Sequence, residues 1–423
     1  MVDFSTVAHS GSTASAAGRQ ISSRQYDVIL NASQRLTSIL LKNGQALRVS
    51  VGEWSMVFGD NSRSSGDLPE LIFREYRSCL RAIRSCSLYY FSRLFLSEKV
   101  RIAGPLSALI DVMYSINVEN DKSQSVAEKI SFFLFRRFKE AIPAFARKFE
   151  SDFHYSLDAR AYALFLDRHL QYTCGRVGPT TRSIDEAQLE KFKLINTWVS
   201  ERIGTLTDKR HLDIGCGWGG LISYFQQDYG TISTGITNSI AQKHYISSRF
   251  GLEAIFGDFR AIDEIKEQFD FVTVIGMSEH VVGGLKDTLL KSIRGCLKDD
   301  GVVYFQTIVK PDQWIGGDAS RLVREFVFPG HDLDTQTETE RRFSKAGFRI
   351  VRAENHATDY AYTTGKWAEN VSRNLPQLKA LIGARTANLF LLYLLYASKL
   401  FAHGRGKLMR YCLVKQTDSL LHS

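Results

Sequence analysis

The sequence predicts an α/β protein: a mostly parallel sheet with helices on both faces, preceded by a smaller α+β unit. From about Gln188 onward, short apolar runs of β character alternate with segments of helical periodicity, the pattern of strands joined by crossover helices. One of these runs, Arg210 to Ile214, ends on Gly215, Gly217, Gly219 and Gly220, as expected where a strand turns sharply into a helix. The chain has 423 residues, long for one core, so two domains are expected.

Residues 1–25 are rich in Ser, Thr, Gly and Ala without an apolar core, so they are expected to be a disordered tail and not an export signal. Residues 26–120 form the expected small unit, with strands at Ala46 to Val51 and Ser55 to Phe58 and a helix around Leu68 to Cys86. Residues 121–150 are expected to hold a polar linker and a basic stretch, Ala127 to Phe149, in which aromatics interleave with Arg136, Arg137, Lys139, Arg147 and Lys148. Such a helix can lie on anionic lipid or simply present a solvated basic face. Residues 151–423 are expected to form the larger domain. Their strands are predicted at Arg210 to Ile214, Ile232 to Ile236, Ala254 to Phe256, Phe271 to Ile275 and Val302 to Ile308, with Phe348 to Ala353 and Leu408 to Lys415 at a sheet edge. Asn388 to Ala402 is very apolar but interrupted by Lys399 and shorter than the roughly 20 residues a spanning helix needs. A buried helix is expected there, and any membrane contact should be peripheral.

Composition narrows the partners without choosing among them. With 54 Lys and Arg against 45 Asp and Glu, the formal charge is +9, which suits an anionic partner: nucleic acid, a phospholipid surface or a charged small molecule. The six cysteines lack CxxC or metal-ligand spacing, so no metal site or disulfide framework is expected, and a reducing cytoplasm fits.

The glycines satisfy GxGxxG at Gly215, Gly217 and Gly220, which alone would allow a dinucleotide. A dinucleotide site usually carries an acidic residue at the end of the second strand, but Gly235 to Ser239 holds none. Asp213 lies instead inside the first strand, where a carboxylate suits a ligand with a cationic amino-acid end and no pyrophosphate. S-adenosylmethionine is such a ligand.

The motifs DIGCGWGGL (Asp213 to Leu221), TGITNSIAQ (Thr234 to Gln242), GDFR (Gly257 to Arg260), QFDFVTVIGMSEHV (Gln268 to Val281) and FVFPG (Phe326 to Gly330) follow one another in order. With HYSLDARAYALFLD (His154 to Asp167), YTCG (Tyr172 to Gly175) and DYAYTTGKW (Asp359 to Trp367), they resemble the cyclopropane-fatty-acyl-phospholipid synthase family, which includes the mycolic acid cyclopropane synthases. The resemblance implies a class I S-adenosylmethionine-dependent methyltransferase fold, Rossmann-like with a seven-stranded sheet, behind a smaller lipid-binding domain. It implies cofactor contacts from Tyr172, Thr173, Asp213, Gly215, Gly217, Thr237, Gln242 and Asp258. It also implies a cage for bicarbonate, acting as base, from Cys174, Glu279, the backbone near Ile308 and Tyr360. Trp218, Phe328, Tyr362 and Trp367 are candidates to line an acyl tunnel, where aromatic faces would stabilise a carbocation.

The chain departs from the family pattern at several positions. Gln306 stands where a histidine is usual, Ser156, Asp158, Ala159 and Ala161 replace Asp, Gly, Asn and Phe, and Val282 replaces a glycine. Glutamine carries no charge, so it holds an anion less strongly. The expected reaction is transfer of a methylene unit to the double bond of an unsaturated phospholipid acyl chain, giving a cyclopropane, with a methyl-branched or methylene product as alternative. Rival readings are a methyltransferase acting on a soluble amine and a lipid-binding protein that has lost activity. The expected setting is cytoplasmic, peripheral on the inner leaflet of the membrane, with no nucleic-acid partner and a homodimer allowed.

Overall fold

The computed structural model describes residues 22–60, 62, 68–122, 159–311 and 333–416. Residues 1–21 of the tail expected at 1–25, the basic stretch Ala127 to Phe149, the segment His154 to Asp158 and the FVFPG motif with Phe328 lie outside the described residues, while Ser23 to Gln25 already belong to a helix. Up to residue 122 the chain runs α1 (Ser23–Lys42), β1 (Ala46–Val51), β2 (Trp54–Gly59), β3 (Glu70–Phe73), α2 (Tyr76–Ser85), α3 (Leu88–Leu96), β4 (Val100–Ala103) and α4 (Leu106–Lys122). Two compact units emerge: Met1–Cys86 with Glu98–Val112, and Ser87–Ser97 with Met113–Ser423.

In the first unit, α1 starts at a capping box in which Ser22 and Gln25 satisfy each other's backbone N–H, removing orphan donors at the helix start. It buries Ile29, Leu36, Ile39 and Leu40, one stripe at helical spacing. The sheet order is β2-β1-β3-β4. The helix expected from Leu68 to Cys86 begins later, because Glu70–Phe73 is a strand parallel to β1. Leu71 and Phe73 are its buried positions, a period of two that a short apolar run hides.

The second unit continues with α5 (Ala159–Ala163), α6 (Ile184–Ile203), β5 (Arg210–Ile214), α7 (Gly220–Tyr229), β6 (Ile232–Thr237), α8 (Ile240–Phe250), β7 (Ala254–Phe256), β8 (Phe269–Ile275), α9 (Leu285–Cys296) and β9 (Leu297–Val309). Then follow α10 (Gln336–Lys345), β10 (Phe348–Asn355), α11 (Ala357–Arg373), α12 (Leu375–Ile382), α13 (Ala384–Ala402) and β11 (Lys407–Lys415). Its seven-stranded sheet has the order β10-β11-β9-β8-β5-β6-β7. Strands β9, β8, β5, β6 and β7 pair in parallel, while β11 runs antiparallel to both β9 and β10. All seven residues of β8 are buried, as in a parallel sheet covered on both sides.

Alternate residues of one strand feed two cores. Val302 and Tyr304 of β9 join Phe192, Ile195, Trp198 and Phe225 from α6 and α7, whereas Val303 and Phe305 join Leu289, Ile293 and Phe343 from α9 and α10. The apolar stretch expected to be a buried helix is most of α13, which buries Ala387 through Leu394. No helix among the described residues is long and apolar enough to cross a membrane.

The turn after β5 depends on left-handed backbone. Gly219 caps α7 at φ +80°, and a Cβ there would lie 2.6 Å from Ile246 Cγ1. Gly219→Ala therefore combines left-handed strain with a clash, and it is expected to lower the unfolding free energy by about 2 kcal/mol, read from the urea midpoint at unchanged slope.

Candidate active site

The C-terminal ends of β5, β8 and β9 meet at one edge of the sheet, the edge at which open α/β folds bind ligands. Register fixes which side chains gather there. Asp213 on β5 pairs with Thr273 on β8, Ile275 at the end of β8 pairs with Gln306 on β9, and Gln306 pairs with Arg410 on β11.

Asp213 is buried, and Thr273 Oγ1 donates to its Oδ1 at 2.6 Å. Its other oxygen takes no hydrogen bond from a described residue. Burial pushes the carboxyl up to about 6, against the opposing pull of the Thr273 hydroxyl and Lys191. Behind it His211 Nε2 lies 2.9 Å from Thr273 Oγ1 and His211 Nδ1 3.1 Å from Ser233 Oγ. Because Thr273 spends its proton on Asp213, it accepts from His211, which makes Nε2 the protonated nitrogen. Burial drives the His211 imidazole down to about 3, and the ring stacks on Phe271 at 4.3 Å.

Past Asp213 the chain turns through Gly215 (φ +82°) and Gly217 (φ +55°). The two glycines serve different ends. A Cβ on Gly215 would meet Met277 Cγ at 2.8 Å, while around Gly217 there is nothing within 4 Å. The first allows packing, and the second leaves bare backbone for a ligand. Contrary to the simplest picture of such a loop, the N–H groups of Gly215 and Cys216 are given to Ile236 O at the end of β6, each at 2.9 Å. Thr237 Oγ1 donates to Gln242 Oε1 at 2.6 Å, so these two act together at the start of α8. Asp258 stands apart: it is exposed, caps a short 3-10 turn and forms an ion pair with Arg260.

The segment Gln171–Gly175 is fastened from three sides. Lys191 of α6, 0% exposed, donates from Nζ to Thr173 Oγ1 at 2.8 Å and Gln171 Oε1 at 3.0 Å. Gln188 Nε2 donates to Thr173 O at 2.7 Å, and Gly175 N donates to Thr363 Oγ1 of α11 at 3.1 Å. Arg410 of β11 donates from Nη2 to Gly175 O at 2.7 Å and Cys174 O at 3.2 Å. Burial pushes the Lys191 ammonium down and the nearby Asp167 carboxyl up. Cys174 is wholly buried with its thiol pushed up to about 12 by desolvation, so it is a protonated hydrogen-bonding group and not a thiolate.

Gln306 touches Arg410, whose Nε donates to Gln306 Oε1 at 2.9 Å. Glu279 lies in a 3-10 turn after β8, and its Oε1 accepts the Ile308 N–H at 2.7 Å. Burial raises the Glu279 carboxyl above the usual range. The backbone donor expected to face an anion is therefore given to Glu279.

Tyr360 belongs to an aromatic wall. Trp218 on the glycine turn lies 5.8 Å from Tyr162, which lies 5.7 Å from Tyr172. Tyr172 lies 5.2 Å from Trp367, and Tyr360 packs against Trp367 at 6.3 Å and Phe401 at 4.6 Å.

Lys191, His211, Thr273 and Arg410 were not singled out from the sequence. For Arg410 a signal existed, since a lone arginine in the apolar run LMRYCLV is anomalous for a buried strand.

Strand order, the glycine turn and the buried carboxylate before it define the class: this is the fold of the S-adenosylmethionine-dependent methyltransferases. The sequence profile of the mycolic acid cyclopropane synthetase family matches residues 146–411, well over half of the chain, which therefore belongs to that family. A probable fatty acid methyltransferase of Pseudomonas putida is 27% identical over 62% of this chain and 68% of its own. Sphingolipid C9-methyltransferase 2 of Gibberella zeae is 27% identical over 69% of this chain and 58% of its own. Among solved structures, the mycolic acid cyclopropane synthase CmaA1, complexed with S-adenosylhomocysteine and CTAB, superposes with a TM-score of 0.59 at 22% identity, covering 65% of this chain and 100% of that one.

The half-satisfied Asp213 carboxyl and the open space over Gly217 fit the cationic end of S-adenosylmethionine. Affinity for that ligand is expected to rise as pH is raised through about 6, because only the ionised carboxylate attracts an ammonium group. Asp213→Asn should weaken binding by about tenfold or more and flatten the pH dependence, both measured by calorimetry.

Proposed function

We propose that the protein methylates the double bond of an unsaturated phospholipid acyl chain and closes it to a cyclopropane. The observation that carries this reading is the aromatic wall from Trp218 to Phe401. It links the cofactor turn to Tyr360 through ring-to-ring contacts, and aromatic rings suit an acyl chain and stabilise positive charge on carbon. A soluble amine would call for a polar pocket instead.

S-adenosylmethionine would supply an electrophilic methyl group. Tyr172, Thr173, Asp213, Gly215, Gly217, Thr237, Gln242 and, at the rim, Asp258 would hold it. The chain's own work is alignment and exclusion of water, since bringing methyl and alkene together in a dry site is most of the task. The alkene takes the methyl and loses one proton as the ring closes. The donor chemistry of Gln306 and Tyr360 fits a small oxyanion such as bicarbonate as acceptor of that proton, and the same proposed cage includes the Cys174 thiol, which donates to Gly175 O at 3.0 Å, and the Glu279 carboxyl, raised by burial.

The first unit, the basic segment and the net positive charge suit presentation of lipid from the cytoplasmic face of a membrane, with the protein peripheral. The homodimer belongs to the same reading. The likeness to a sphingolipid C9-methyltransferase favours a second outcome, a methyl-branched or methylene chain.

The test is incubation with methyl-labelled S-adenosylmethionine and liposomes of unsaturated phospholipid, with the fatty acids analysed by mass spectrometry and NMR. Cyclopropyl protons on a chain heavier by one CH2 are expected. Label in a branch would favour the second outcome, and transfer only to soluble amines would overturn the lipid reading. Glu279→Gln should lower transfer by about a hundredfold with S-adenosylmethionine affinity unchanged by calorimetry.

A further inference from the structure

We propose that Arg410 is a positioning residue that dictates which end of the Gln306 amide faces the reaction site, and that the two together hold the oxyanion base. The inference rests on the reading of the site given above and adds to it a residue outside every motif that carries the family resemblance.

The geometry leaves no choice of amide orientation. Arg410 Nε can only donate, so the Gln306 atom 2.9 Å away must be the carbonyl oxygen. The amide nitrogen, with two donors, is turned away from the guanidinium. Gln306 is 1% exposed, and its Nε2 has no partner among the described residues. An amide donor that keeps no protein acceptor there is free to meet a ligand or water.

The guanidinium cannot turn to release this arrangement. Arg410 sits directly opposite Gln306 in the β9–β11 register, and its Nη2 is held by Cys174 O and Gly175 O. It also lies 3.7 Å from Cys174 Sγ. Arg410 is 0% exposed, yet no carboxylate lies within ion-pair distance of it among the described residues. Its Nη1 faces His356 Nδ1 at 3.4 Å, but that nitrogen is already 2.7 Å from Asp359 Oδ2. A buried guanidinium whose partners are carbonyls, an amide, a thiol and an imidazole touches no carboxylate directly, Asp359 and Glu354 reaching it only through His356. A small oxyanion beside Gln306 Nε2 would supply the missing charge.

Position 306 thus provides uncharged donors, while the cation that a histidine would bring there is placed across the strand at position 410. A histidine introduced at 306 alone would stand against the guanidinium, which disfavours its protonation, so the single Gln306→His exchange should not strengthen anion binding. The same histidine with Arg410→Gln should.

The experiment reads bicarbonate binding as a saturable rise in Tm of the full chain, beside methyl transfer and calorimetric S-adenosylmethionine affinity. The native protein should show the rise. Gln306→Glu keeps an acceptor for Arg410 and should fold, but it turns a carboxylate oxygen towards the anion: the bicarbonate response should vanish and transfer should fall about a hundredfold, with S-adenosylmethionine affinity retained. Arg410→Gln should lose the response, and Arg410→Gln with Gln306→His should recover it. A Gln306→Glu protein that keeps the response overturns the inference, as does a folded double variant no better than Arg410→Gln. If Arg410→Gln fails to fold, Gln306→Glu decides. A native chain that methylates lipid without any bicarbonate response overturns the inference and leaves the proposed function standing; a response without lipid methylation does the reverse.

Discussion

Two cations buried under one loop govern the arrangement of this site. Lys191 from α6 and Arg410 from β11 reach Gln171–Gly175 and spend their donors there on carbonyl, amide and hydroxyl oxygens. In a low-dielectric interior such bonds are strong when complete and costly when broken. The loop carries Tyr172, Thr173 and Cys174, so its fastening positions the aromatic wall and the thiol together.

The carboxylate at the glycine turn is governed by a similar logic on neighbouring strands. Register sets His211 beside Ser233 and Phe271, and Asp213 beside Thr273. The imidazole, kept neutral by burial, orients one hydroxyl, and that hydroxyl orients one carboxylate oxygen. The remaining oxygen takes no hydrogen bond from a described residue. Polar chains of this kind specify a single geometry because every alternative leaves a buried group unpaired.

A chain of aromatic contacts runs from Trp218 through Tyr162, Tyr172 and Trp367 to Tyr360 and Phe401. Cys216, by contrast, is accounted for by packing, since a Cβ on Gly235 would lie 2.6 Å from its Sγ.

The sequence by itself determined the strands of the large sheet, the glycine turn and the carboxylate before it. Apolar periodicity and glycine spacing are local signals, and here they agree with the tertiary fold: Arg210–Ile214 and Ala254–Phe256 are strands with the predicted ends. Motif order also brought forward Glu279 and Gln306, which lie in the turn after β8 and within β9. Only the tertiary structure decided that Glu70–Phe73 is a strand, since its identity comes from pairing with β1 and β4. Only the tertiary structure set Arg410 against Gln306, which lie 104 positions apart. Nothing in either local sequence encodes that contact, because it arises from the antiparallel return of β11 beside β9. Register across a sheet is a property of the whole fold, and the charge balance of the site depends on it.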